Sequence, residues 1–201
     1  MIQGMLMNWR ERVLPIARQL ARAAGVCLAV MAVASASEPQ PIDACALLTA
    51  SDVAALLGMP VTEGVRHDEG LTSVGAYSST CIWKVRNDRL GARDPTLSLG
   101  GADFAILNAF SWPSRSGAVG FLQSFRSAAD RHEIPMHPIG LKLGDEGLWW
   151  GDGVAVRRGL LSFGVSVVLN SADRAQRRVW EEALAKEILT RLPAEPSQER
   201  K

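Results

Sequence analysis

The chain is poor in the residues that most often carry chemistry. Its 201 residues include three histidines, three cysteines and one tyrosine. Only His67, His132 and His137 are therefore available as imidazole bases. No Gly-x-Ser-x-Gly elbow and no Ser-x-x-Lys pair occurs, which removes two local signatures of serine hydrolases. Charge of one sign is lacking too. Lys and Arg total 22 against 21 Asp and Glu, so there is no basic excess of the kind that marks nucleic-acid binding. No apolar run approaches the ~20 residues that a membrane-spanning helix needs. Sequence repeats are absent.

What is present is ordinary globular composition, 47% hydrophobic and 21% charged, enough for one domain with a real core. Residues 1–36 differ from the rest. Arg10, Arg12, Arg18 and Arg22 precede an uncharged run from Ala23 to Ala34, and Ala34-Ser35-Ala36 supplies an A-x-A cleavage site. This layout reads as a secretory signal peptide, with the exported chain starting at Ser37 and destined for the periplasm or the medium. Cys27 lies inside the apolar run, without the surroundings of a lipid-attachment cysteine. Cleavage would remove four arginines and Glu11, turning the net charge from +1 to −2. It would leave Cys45 and Cys81 as the only thiol pair, which in an oxidising compartment reads as a structural disulfide.

Residues 37–41 read as a leader, 42–193 as one α+β domain and 194–201 as a disordered polar tail. Thr49 and Asp52 form a capping box ahead of Val53, Leu56 and Leu57, and Gly58 and Pro60 stop that helix. A short strand near Val61 to Val65 is expected, then a loop to Ser79. Cys81, Trp83 and Val85 alternate with polar or outward residues, as in a strand with one buried face. Asn87 to Asp94 reads as a polar turn, with a returning strand at Leu97 and Leu99 and another at Phe104 to Phe110. Ala118, Phe121, Leu122, Phe125 and Ala129 recur at helical spacing over 114–131. A meander follows at 146–150, 154–157 and 161–169. Ser171 to Asp173 cap a last helix in which Trp180, Ala183, Leu184 and Ile188 share a face, ending at Pro193. Without βαβ alternation, the expected fold is an antiparallel sheet covered by about three helices.

Cys45-Ala46-Leu47-Leu48-Thr49 with Asp52-Val53 and Leu57-Gly58, then Cys81-Ile82-Trp83, Leu143-Gly144-Asp145-Glu146 with Trp149, and Val156-Arg157-Arg158-Gly159 follow one another along the chain. In this order they resemble a family of exported bacterial domains of unknown function, secreted or lipid-anchored, with a C-x-L-L-T…L-G…C-x-W pattern and an L-G-D-E-A-x-W segment. Gly147 stands where that pattern has alanine, and the family's lipid-attachment cysteine is missing. The resemblance implies a PsbP/Mog1-like α+β sandwich, a Cys45–Cys81 disulfide and no established catalysis. A fold of this kind does not name a function.

The candidate sites are few. His132, Met136 and His137 offer soft-metal ligands from one loop, copper being the natural ion, though His132-Glu133 and His137 are one residue too far apart for a zincin helix and enclose Pro135. The plainer reading is an exposed helix-to-strand connection. Asp145-Glu146 between glycines reads as a turn before a general acid/base pair. Trp149 and Trp150, adjacent on a strand, must face opposite sides of the sheet. One of them, near Phe110, Trp112 or Tyr77, would line a groove for a small apolar ligand or a surface for an envelope protein, unless helices cover that face and bury the ring as ordinary core. Arg157 and Arg158 would recognise an anion there, or simply solvate a turn. The reading is therefore a non-catalytic exported binding domain without cofactor. A periplasmic metal-binding protein and a hydrolase assembled from distant residues are the alternatives.

Overall fold

A computed structural model describes residues 38–86 and 103–192. The expected signal segment, the turn and strand expected between Asn87 and Leu99, and the expected C-terminal tail lie outside the described residues. The rest forms one α+β domain.

The chain enters through two short helices, α1 (Ala44–Leu47) and α2 (Ala50–Leu57). Asp43 caps the first by accepting from the amides of Cys45 and Ala46. The expected capping box starts the second, Thr49 accepting from Asp52 N and the Asp52 carboxylate accepting from Thr49 N. Gly58 ends it in the left-handed conformation at φ 68°. Next come β1 (Val65–Leu71), β2 (Tyr77–Lys84), β3 (Phe104–Ser111), α3 (Arg115–Asp130), β4 (Ile139–Leu141), β5 (Glu146–Trp149), β6 (Val154–Arg158), β7 (Leu161–Val168) and α4 (Arg174–Arg191).

All seven strands form one sheet in the order β1-β2-β3-β7-β6-β5-β4, every pair antiparallel. The two hairpin groups are sewn together by β3 and β7, which pair along their whole length from Phe104 opposite Val168 to Ser111 opposite Leu161.

Helices lie on both faces. On one, α1, α2 and α4 cover Cys81, Trp83, Leu107, Phe163, Val165 and Val167, the main core. On the other, α3 lies over β6 and β7 with Ala118, Phe121 and Leu122 against Leu148 and Ala155. Both faces of the central strands are thus buried, which is why β6 is buried at its first four consecutive positions, Val154 to Arg157, instead of at alternate ones.

The described residues hold four helices, against the three expected. The extra one, α1, has a single turn and no amphipathic period to read. At β1 the sequence suggests a loop. This edge strand exposes nearly every side chain and is held by backbone pairing to β2, so it carries no hydrophobic alternation, and Val61 makes only an isolated bridge to Val85. The three-residue β4 closes the opposite edge for the same reason unseen.

Cys45 on α1 and Cys81 on β2 are bonded, with Cα atoms 5.1 Å apart across 36 residues. Cys81 and Trp83 share the inner face, as their alternation requires. A loop of that length gives about 3–4 kcal/mol of stabilisation in the chain-entropy account. Gly64 lies so close that a Cβ there would come to 2.6 Å from Cys81 Sγ and 2.7 Å from Trp83 Nε1. None of the described helices is long and apolar enough to cross a membrane.

Candidate functional site

The paired tryptophans part company as their strand geometry demands. Trp150 lies with α3, where five rings form a continuous row. Trp112 stands 6.0 Å from Phe110, Phe110 5.1 Å from Phe121, Phe121 5.3 Å from Phe125, and Phe125 4.5 Å from Trp150. The helix supplies Phe121 and Phe125 from one stripe, and the sheet side supplies the other three. Trp112 is anchored by its indole N–H, which donates to Ser162 Oγ at 2.6 Å. Gly117, in the first turn of α3, admits the Trp112 ring, since a Cβ there would lie 2.7 Å from Trp112 Cε3. Trp112 and Phe121 are buried, whereas Phe110, Phe125 and Trp150 are half-buried and give the row an open side. Of the tryptophans considered from sequence, the row brings Trp112 and Trp150 together and leaves Trp149 out.

Trp149 points into the main core. Its indole N–H donates to Glu181 Oε2 at 3.0 Å, and the Arg178 guanidinium lies 5.0 Å above its ring. Glu181 is wholly buried. Its other oxygen accepts from Val167 N at 3.1 Å. This second bond has a topological cause. Val165 is the last residue of β7 to the side of β6 with a partner there, Val154. Two residues on, Val167 has no β6 residue beside it, and the Glu181 carboxyl takes the amide that the ladder leaves over. Burial pushes the Glu181 carboxyl up to about 7, against the lowering effect of the Val167 and Trp149 donors. Glu181 was not among the residues singled out from sequence. Beside Glu182 it looks like a solvated helix position, and only the one-residue rotation of the α4 face, to Glu181, Leu184, Ala185 and Ile188, puts it inside.

The arginines near the β6–β7 hairpin are engaged within the fold. Arg157 is 5% exposed and donates from Nη1 to Asp145 Oδ2 at 2.7 Å. The same oxygen accepts from Gly159 N at 2.8 Å, so Asp145 ties the start of β5 to the hairpin turn. Gly144 makes this possible. It sits at φ 60°, and a Cβ would come to 2.5 Å from Arg157 O. Glu146 pairs with Arg126 of α3 at 2.7 Å. Arg158 donates to Leu189 O near the end of α4 at 2.7 Å. The Leu-Gly-Asp-Glu segment is thus an organising turn whose every member has a packing or bonding task, Leu143 being buried in the core. At Gly147 an added Cβ would meet Leu143 Cβ and O at 3.0 Å.

His132 takes the left-handed position, φ 58°, that closes α3, with its amide on Ala129 O and the next on Ala128 O. His137 is exposed, its Nδ1 3.8 Å from Asp130 Oδ1. Met136 packs partly against the main core, beside the Gly151 turn. Among the described residues no group of three His, Cys, Asp or Glu is placed to hold a metal ion.

No family model, curated protein or solved structure matches the chain.

Proposed function

We propose that this is an exported, non-catalytic binding domain that takes a small apolar ligand or an envelope protein on the aromatic row from Trp112 to Trp150. The observation that carries the reading is the open side of that row: three half-buried rings, Phe110, Phe125 and Trp150, backed by two buried ones and presented by rigid elements. Aromatic rings give large contact area for little loss of side-chain freedom, the property of binding anchors. Export is supported by the signal-like residues 1–36 and by a disulfide in the fold. Membership of the exported family of unknown function, and with it a PsbP/Mog1-like fold, is supported by the short segments quoted above, whose Gly144, Asp145 and Cys81 have specific structural tasks.

Native mass spectrometry of protein recovered from the export compartment tests this directly. A chain starting at Ser37 that carries an added small-molecule mass, lost in W150A, supports a ligand. A photo-reactive residue at position 150 that cross-links to an envelope protein, with no cross-link from exposed Lys186, supports a partner. If neither arises and W150A behaves as wild type in both assays, the aromatic row is core packing alone.

A further inference from the structure

Glu181 has a second relationship that neither its core position nor the aromatic row uses. Arg177 precedes it by four residues on α4, the spacing that places two side chains on one helix face. The Arg177 side chain is 21% exposed and its Nε is buried with no acceptor among the described residues. Its Nη2 reaches Asp152 only at 3.6 Å, across to the turn between β5 and β6. Asp152 is 45% exposed, so that pair is weak. An arginine with an orphaned inner donor and a poor outer partner stands one helical turn from a buried carboxyl.

We propose that Arg177 is the moving part of a proton-controlled exchange, paired with Asp152 while Glu181 is protonated and turned onto Glu181 once that proton has passed to water. The balance of the two states follows from burial. A neutral Glu181 asks nothing of Arg177, and the outer pair with Asp152 suffices. An ionised carboxylate that water does not reach requires a cation, and the buried Arg177 Nε, one helical turn away, is an unused donor. The other charges are placed for this competition. Asp152 opposes ionisation of Glu181 and Arg177 favours it, while Arg178 stands over the Trp149 ring and pairs with Glu182 at 2.7 Å. At the far end of α4, Arg191 pairs with Asp52 and Glu187, and Arg158 binds Leu189 O. The exchange would release the turn from Trp150 to Gly153, closed by Trp150 N on Gly153 O, from its tie to α4. It does not depend on what the aromatic row binds.

The test is a pH titration of the disulfide-intact protein by NMR, following the Trp149 indole N–H and the Arg177 Nε–H between about pH 5 and pH 9. The two signals are expected to move together with one midpoint close to neutrality. Asp152→Asn should lower the midpoint and Arg177→Gln should raise it, each by about half a pH unit or more. Glu181→Gln should abolish both titrations. A flat Arg177 signal while Trp149 titrates overturns the exchange, as does a Trp149 signal that does not titrate, or a midpoint indifferent to both substitutions. The Arg177 Nε–H signal, followed in the wild type and in Asp152→Asn, decides the question even where Glu181→Gln does not fold.

Discussion

Asp145 and Arg157 form a pair in which the arginine is the buried member, 6% exposed in its side chain, and the aspartate reaches in from the turn before β5 at 2.7 Å. Asp145 Oδ2 serves Arg157 and Gly159 N together, so one carboxylate fixes both a charge and a hairpin. Breaking such a pair from one side leaves a buried cation uncompensated. Asp145→Ala is expected to cost about 3–5 kcal/mol in urea unfolding, and Asp145→Asn less, because the amide oxygen still accepts from Gly159 N. A loss below about 1 kcal/mol for Asp145→Ala would show that solvent compensates Arg157.

The pH dependence of stability should run opposite to ordinary acid denaturation over part of its range. The Glu181 carboxyl is raised from 4.5 to about 7 in the folded state. Between those values the native protein holds a proton that the unfolded chain has released, so its contribution to stability falls as pH rises and levels off above about 7. Up to about 3 kcal/mol is at stake. Denaturant midpoints at pH 5 and pH 8 measure it, and Glu181→Gln should flatten this part of the profile.

Gly64→Ala tests the close approach at the disulfide. The added methyl meets Cys81 Sγ and Trp83 Nε1, one fixed by its bond to Cys45 and the other by core packing. Overpacking of this kind costs about 1–3 kcal/mol, and a variant as stable as wild type would mean that the segment before β1 can shift outward freely.

Removing the disulfide should cost about 3–4 kcal/mol, read as a lower denaturant midpoint for the C45A/C81A double variant. Native, oxidised protein should resist thiol labelling at both positions until it is denatured and reduced. Labelling of both in the untreated protein would contradict the bond.

The anchor of the aromatic row can be weighed separately. Trp112→Phe keeps an aromatic ring in the row but loses the indole's second ring and the N–H that Ser162 Oγ accepts, leaving a buried hydroxyl without its donor. About 1 kcal/mol should be lost, with the fluorescence of the row changed but the fold intact.

What the sequence by itself determined is everything whose signal is local. Thr49 with Asp52, Gly58 and Asp173 mark helix ends, because a cap is chemistry between neighbours. The alternation from Leu161 to Val168 and the helical spacing from Ala118 to Ala129 reveal elements whose two sides meet different surroundings. Two cysteines and a strand that turns Cys81 inward point to the disulfide. Tertiary structure alone decided the rest. Strand β1 exists because β2 offers it a backbone ladder, an interaction blind to side-chain pattern. The joining of β3 to β7 is a choice among long-range pairings that no window of sequence contains. Arg157 reads as a surface charge until Asp145, twelve residues earlier, is folded against it. Glu181 is the clearest case: its burial follows from where β6 stops and how α4 is rotated, and both are set by packing across the sheet.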